Sequence, residues 1–232
     1  MNKIELIYEN LYHMYGPQGW WPIISNENDR LTCMYHPNNF DIPKKTSQLY
    51  EICIGAILTQ NTAWRNVVKA LINLHQIQAL NPIKMQTIDN DTLKQAIRPA
   101  GYFNQKAKKI KQFNDFYLQL DHQVPSREQL LCVWGIGPET ADSILLYAYK
   151  QLSFVVDTYT RRIFLNLGLI QADMTYDEIK HKFEKNLKAD IKIYQEYHAL
   201  IVHHAKLYYQ KKDQYALDPI FRNSCFSLKE SI

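Results

Sequence analysis

The stretch GIGPETADSILLYA, residues 135–148, decides how this chain is read. The chain has only seven glycines. Two of them, Gly135 and Gly137, stand one residue apart here, directly before a helical pattern. Glycine lacks a Cβ and tolerates positive φ, so the pair permits a tight turn with accessible backbone. Pro138 suits the first turn of a helix, where its missing N–H is no loss. Ala141, Ile144, Leu145 and Ala148 then follow the i, i+3, i+4, i+7 rhythm of a buried helical stripe. Upstream, SREQLLCVW (126–134) opens with a capping box, Ser126 with Gln129 three residues on. Two helices thus meet through a glycine turn that points backbone N–H groups outward from a helix N-terminus, a natural seat for phosphate. An ordinary helix–turn–helix connection would leave the same trace.

Helical periodicity continues on both sides. It predicts helices over 3–15, 47–60, 62–76, 91–97, 104–120, 138–149, 157–169, 175–187 and 191–212. Residues 25–45 are polar and rich in Asn, Asp and Pro, which predicts a long loop or insertion. SFVVD (153–157) is the one β-like fragment, too short for a sheet. The expected fold class is all-α.

Bulk composition narrows the function without naming it. At 232 residues and 46% apolar content the chain can bury a substantial core. Aromatics make up 12%, with 16 tyrosines, which leaves rings for stacking. The net charge of +4 permits a polyanionic partner without requiring one. Cys33, Cys53, Cys132 and Cys225 form no C-x-x-C pair, so neither a zinc site nor a disulfide framework is indicated. Cys53 and Cys132 lie in apolar helical runs and read as small core residues. The amphipathic, partly acidic start is unlike a signal peptide, and no run of 18 apolar residues occurs. A cytoplasmic protein without a membrane partner is expected. His203 and His204 are adjacent on one helix, so they face different sides and make no i, i+4 metal pair.

LCVWGIGPETADSIL followed by VVDTYTRR, with Asp157 twenty residues after Gly137, resembles the helix-hairpin-helix motif of the DNA glycosylases related to endonuclease III. GWWP (19–22), LTQNTAW (58–64), IRPAGYFNQKAKKI (97–110) and YHALIVHHAK (197–206) extend the likeness to the 3-methyladenine glycosylase branch. The resemblance implies two helical lobes with a DNA-binding cleft between them: residues 46–154 with the hairpin at 126–149, and residues 1–45 joined to 155–232. It implies excision of a damaged base, an alkylated purine, from double-stranded DNA by a monomeric enzyme. An endonuclease III-like enzyme for another lesion, or a DNA-binding module without catalysis, are the alternatives.

Two departures from the family pattern bear on the chemistry. Bifunctional members carry a lysine in the hairpin that forms an imine with the sugar. Here that position is Glu139, which cannot do so, although an acidic residue also suits a helix N-terminus. A monofunctional hydrolase without lyase activity is therefore expected. Many relatives also end in four cysteines spaced to bind a [4Fe–4S] cluster. Laying that spacing back from Cys225 meets Tyr209, Ala216 and Pro219, so no cluster is expected. The tail would be held instead by packing of Tyr208, Tyr209, Tyr215, Leu217 and Phe221.

By the same resemblance, Gly135, Ile136, Gly137, Glu139 and Thr140 would grip a phosphate. Carbonyls of Leu131, Val133 and Ile136 would hold a structural sodium or potassium ion, and no other cofactor is required. Gln60 and Asn61 would fill the gap left by the flipped base. Lys106 and Arg161, with Lys108, Lys109 and Arg162, are phosphate-contact candidates or solvated surface charges. Trp21 and Trp64 are base-pocket walls or core rings. Asp157 is the catalytic candidate, as the carboxylate that stabilises positive charge on the sugar and directs water. It equally fits the cap of the helix it precedes.

Overall fold

The computed structural model describes residues 2–222. Eleven α-helices account for most of them. In chain order they are α1 (Lys3–Tyr15), α2 (Thr46–Leu58), α3 (Trp64–Gln76), α4 (Pro82–Thr87), α5 (Asn90–Ile97), α6 (Phe103–Gln119), α7 (Arg127–Cys132), α8 (Pro138–Ser143), α9 (Thr158–Asn166), α10 (Tyr176–Asn186) and α11 (Ile191–Tyr208). The helix of α8 continues as a π-helical stretch over Ile144–Ala148. Each predicted helix is present within a few residues of its expected limits, except that α11 ends at Tyr208. The short α4 lay between predictions. It starts at Pro82 under an Asn81 cap that accepts from the N–H groups of Ile83 and Lys84.

The loop expected over 25–45 is in part a β-hairpin. Strands β1 (Ile23–Glu27) and β2 (Arg30–Met34) pair antiparallel with Glu27 opposite Arg30. Asn28 and Asp29 form the two-residue connection, both at positive φ (48° and 60°). A turn of that kind matches the strand twist and favours Asn and Asp. Polar composition hid the strands, because only Ile23 and Ile24 of β1 are buried. Conversely, SFVVD is not a strand. Phe154, Val155 and Val156 are buried, but side chains satisfy their backbone: Phe154 N–H donates to Glu184 at 2.9 Å and Val156 N–H to Tyr176 Oη at 3.3 Å.

The chain divides into two compact units, whose bounds differ from the expected 46–154 and 1–45 with 155–232. One unit is Trp21–Gln151. Residues 21–45 belong here rather than with the N-terminal segment, because β1 and β2 pack on α2 and α3. Helix α2 is its axis, with every residue from Tyr50 to Leu58 buried. The other unit joins the residues up to Trp20 to those from Leu152 onward. There α1 and α9 pack on α11. Phe154, Phe164, Phe183 and Tyr197 form its aromatic core, with Phe154 and Phe183 stacked at 4.4 Å between centroids.

Candidate active site and nucleic-acid interface

In the first unit the glycine turn is braced from three directions. Gly135 adopts φ +86°, and a side chain there would collide with the stem of Lys109, 2.5 Å from its Cγ. Glycine is therefore required both for conformation and for close approach. Gln60 Nε2 donates to the Gly135 carbonyl (3.0 Å) and to Thr140 Oγ1 (2.9 Å), while its Oε1 accepts from Lys109. Arg127, at the start of α7, pairs with both oxygens of the fully buried Asp142 on α8. The capping box at Ser126 forms as expected. Ser126, Arg127, Gln60 and Lys109 thus fix the turn before any ligand arrives.

This arrangement changes the role of several expected DNA contacts. The amide of Gln60 is committed to the hairpin, so it supports the turn rather than reading a base edge. Lys106 is 2% exposed, and its ammonium donates to the carbonyls of Leu58 (2.8 Å) and Ala100 (2.9 Å). It ties α6 to α2 and lies too deep for a phosphate. Burial lowers its pKa to about 8, helped by the charge of Lys109. Thr140 is buried behind Gln60. By contrast Gly135, Gly137 and Glu139 lie at or near the surface, Ile136 fills the core beneath them, and Asn61 is exposed at φ 51°. Lys108 sits 4.4 Å over the ring of the exposed Trp134, next to the turn. Cys132 is exposed rather than core. The Val133 carbonyl already accepts the Ile136 N–H (3.0 Å) and keeps one lone pair. Leu131 lies in the last turn of α7 and Ile136 follows the glycine, so carbonyl oxygens, the donor type a hard monovalent cation takes, flank the turn on both sides.

Trp21 and Trp64 are brought together, edge to face at 5.5 Å and 88°. Trp21 is buried against Tyr147 and over Gly55, where a Cβ would approach its indole nitrogen to 3.2 Å. Trp64 is half-buried. Rings set at right angles do not sandwich a base as they stand, so Trp21 buttresses Trp64, the more exposed ring of the pair.

In the second unit Asp157 is the N-cap of α9. Its Oδ1 accepts from Thr160 N (2.7 Å) and Thr160 Oγ1 (2.8 Å). The side chain is 12% exposed, and Oδ2 lies 3.8 Å from His198 Nε2 on α11. Burial alone would raise the Asp157 pKa. The His198 imidazole and the Thr160 donors outweigh it and hold the carboxyl below its ordinary value. The sequence offered no sign of the His198 contact, which spans 41 residues between separate helices. Arg161 donates to the Met174 carbonyl (2.9 Å) and Arg162 to that of Tyr209 (2.5 Å), so both are partly engaged.

The tail is held by a polar cluster as well as by packing. Asp218 is buried and accepts from Tyr209 Oη (2.5 Å) and Ile220 N (2.8 Å), and it pairs with His204 (3.0 Å). Tyr15 completes the chain at His204 Nδ1 (2.8 Å). Tyr215 packs on Tyr209 at 4.6 Å. Leu217, expected to pack, is 54% exposed. Cys225 lies outside the described residues. Tyr209, Ala216 and Pro219 offer no thiolates, and the space around Tyr209 is filled by this cluster, so the site does not fit a [4Fe–4S] centre. Among the described residues no group of three His, Cys, Asp or Glu is placed to hold a metal. No helix there is long and apolar enough to cross a membrane.

Residues 54–189 match the model of the HhH-GPD superfamily base excision DNA repair protein. A Methanocaldococcus jannaschii chain, provisionally named a DNA repair glycosylase, is 43% identical over 225 residues, covering 91% of this chain and 92% of that one. The endonuclease III of Sulfolobus acidocaldarius is 29% identical over 168 residues, covering 70% of this chain and 75% of that one. Among solved structures, H. pylori 3-methyladenine DNA glycosylase bound to 1,N6-ethenoadenine superposes with a TM-score of 0.66 at 26% identity, covering 89% of this chain and 98% of that one. An endonuclease III–DNA complex gives a TM-score of 0.74 at 16% identity, over 99% and 100% of the two chains, a likeness of fold. The glycine turn, the capped aspartate and these matches agree: the chain belongs to the HhH-GPD superfamily of base excision repair DNA glycosylases.

Proposed function

We propose that this glycosylase is monofunctional and removes an alkylated purine from duplex DNA, with water as nucleophile and Asp157 as the catalytic carboxylate. The observation that carries the reading is the state of Asp157: a nearly buried carboxylate with a depressed pKa, one oxygen committed to the cap and the other left for chemistry. Glu139 supports the hydrolytic route, since no amine stands at the hairpin position that would form an imine.

The target carbon is hidden in the duplex, so the nucleotide must be turned out of the stack. The N–H groups of Gly135, Gly137 and Glu139 hold a backbone phosphate, and Asn61 enters the space that the base vacates. The carbonyls of Leu131, Val133 and Ile136 would hold a sodium or potassium ion, which would supply positive charge near that phosphate. The half-buried face of Trp64 attracts a cationic alkylated base. The glycosidic C–N bond then breaks and its electron pair neutralises the departing base. Asp157 stabilises the positive charge left on the sugar and accepts a proton from the water that adds to the same carbon. The products are free base and an intact abasic strand.

The 3-methyladenine identity of one solved relative supports the alkylpurine class. Relatives named endonuclease III favour a second reading, another lesion handled on the same frame. Chromatography of bases released from methylated, oxidised and undamaged duplexes separates them. Release of methylated purines from the first is expected. Release of oxidised bases alone would favour the second reading, and release of no base would leave a DNA-binding module.

A further inference from the structure

We propose that His198, braced by Trp20, is a positioning residue for base excision: it fixes Asp157 Oδ2 and stabilises its negative charge. The inference rests on Asp157 being the catalytic carboxylate.

Both oxygens of Asp157 have distinct surroundings. Thr160 engages Oδ1 twice, through its backbone N–H and its hydroxyl. Oδ2 is therefore the oxygen available to the sugar and the water, and His198 Nε2 lies 3.8 Å from it. That separation exceeds a hydrogen bond, so the coupling acts through charge and dipole in a space that admits little water. His198 is 5% exposed, so bulk solvent screens the pair only weakly.

The imidazole is itself held. Trp20 meets it edge-on, with centroids 5.6 Å apart and planes at 86°. Such edge-to-face contact restricts rotation of the smaller ring. The segment that carries Trp20 is pinned to the same helix as His198. Glu196, two residues earlier on α11, accepts from the backbone N–H groups of Gln18 (2.7 Å) and Gly19 (3.2 Å). Glu196, Trp20 and His198 thus form one connected support beside Asp157, with Gly19 and Trp20 in the same unit as α11. The groups facing Asp157 are Thr160 of its own helix and, from α11, His198 with the cationic Lys206 acting at longer range.

The test is single-turnover base release as a function of pH, on a methylated duplex, for wild type, His198→Gln, Asp157→Asn and the double variant. Affinity for a duplex carrying an abasic site and thermal stability are measured alongside. Activity requires ionised Asp157, and loss of His198 raises the pH at which that carboxyl protonates. His198→Gln should slow release about 10- to 100-fold, shift the acid limb of the profile to higher pH, and leave DNA affinity within about threefold. In the Asp157→Asn background it should change the residual rate by less than about threefold, because both act through one oxygen. Trp20→Phe, which keeps an aromatic edge, should retain most activity, and Trp20→Ala should move the acid limb in the same direction as His198→Gln. An unshifted acid limb in folded His198→Gln, or multiplicative losses in the double variant, overturns the proposal while leaving the role of Asp157 intact. Full activity of Asp157→Asn overturns the underlying reading and the proposal with it. Should His198→Gln fail to fold, the Trp20→Ala profile decides, and an unshifted acid limb there overturns the proposal.

Discussion

Arg127 grips Asp142 with two bonds, Nε to Oδ1 at 2.9 Å and a terminal nitrogen to Oδ2 at 3.2 Å, and so fastens the first residue of α7 to the last turn of α8 across the glycine turn. The carboxylate has no exposure and the guanidinium side chain 23%. Removing one partner of a buried pair leaves an uncompensated charge, at a cost of about 3–5 kcal/mol. Arg127→Ala is expected to lower stability by that order and to weaken DNA binding, because the N–H groups proposed to grip phosphate lose their fixed spacing. Arg127→Lys should fall between, since an ammonium cannot reproduce the fork. Urea unfolding with parallel DNA titration checks both. A loss below about 1 kcal/mol would mean that the pair behaves as a surface bridge.

Glu51 makes stability depend on pH in an unusual direction. It is 4% exposed on α2, accepts the Ile24 N–H of β1 at 2.5 Å, and burial pushes its pKa up to about 7 despite that bond. The folded state therefore binds the proton more tightly than the unfolded chain does. This contribution is largest below the ordinary carboxyl pKa and declines as pH rises from there to about 7. Glu51→Gln keeps an acceptor for Ile24 and removes the charge. It is expected to raise stability above pH 7 by about 1–3 kcal/mol and to flatten this part of the profile. Thermal unfolding across pH 4–9, compared between the two proteins, tests it, and an unchanged difference at all pH values would refute the assignment.

The C-terminal cluster predicts how the tail responds to pH and to substitution. Burial of Asp218 is outweighed by the His204 and Tyr209 contacts, so its carboxyl stays below its ordinary pKa. It stabilises the fold above the unfolded carboxyl pKa, and the effect is lost as acid titrates the folded group. Purified protein is expected to lack stoichiometric iron and sulfide, and a chelator should leave its thermal midpoint unmoved. Asp218→Ala should lower that midpoint markedly, since it removes the buried partner of His204 Nε2 and the acceptor of the Tyr209 hydroxyl. Iron bound in a four-to-one ratio to protein would overturn this account.

What the sequence made legible follows from the range of the interactions. The helices, the Ser126 box, the Gly135 turn and the Asp157 cap depend on neighbours within a few residues, and their patterns are local. The β1–β2 hairpin is equally local, but its strands mix polar and apolar residues and only Ile23 and Ile24 of β1 are buried, so no alternating pattern marks them. Contacts between distant segments left no trace: Gln60 on Gly135 is 75 residues away, and Lys106 on Leu58 is 48. A lysine on an amphipathic helix reads as surface charge, and nothing in α6 announces that two carbonyls wait beneath it. His198 was hidden in the same way, as one of three histidines on α11. Charge type located the candidate site, while burial decided which charges remain available to DNA.

Asp157 and Glu139 should separate chemistry from binding. Asp157→Asn preserves size and much of the capping to Thr160, but removes the charge that would stabilise the sugar cation. Base release is expected to fall by at least about 10²–10³, the loss typical when one electrostatic stabiliser is removed. Affinity for damaged duplex should hold or rise, because repulsion with phosphate is reduced. Glu139→Lys places an amine at the hairpin position where bifunctional relatives carry theirs. That variant is expected to yield a borohydride-trapped adduct with DNA if the amine reaches the sugar, whereas wild type should yield none and leave abasic sites that nick only on alkali or heat. Denaturing gels with and without borohydride, run beside base chromatography, read all of these at once. Efficient trapping or unaided strand cleavage by wild type would end the monofunctional assignment. Undiminished base release by Asp157→Asn would end the catalytic one.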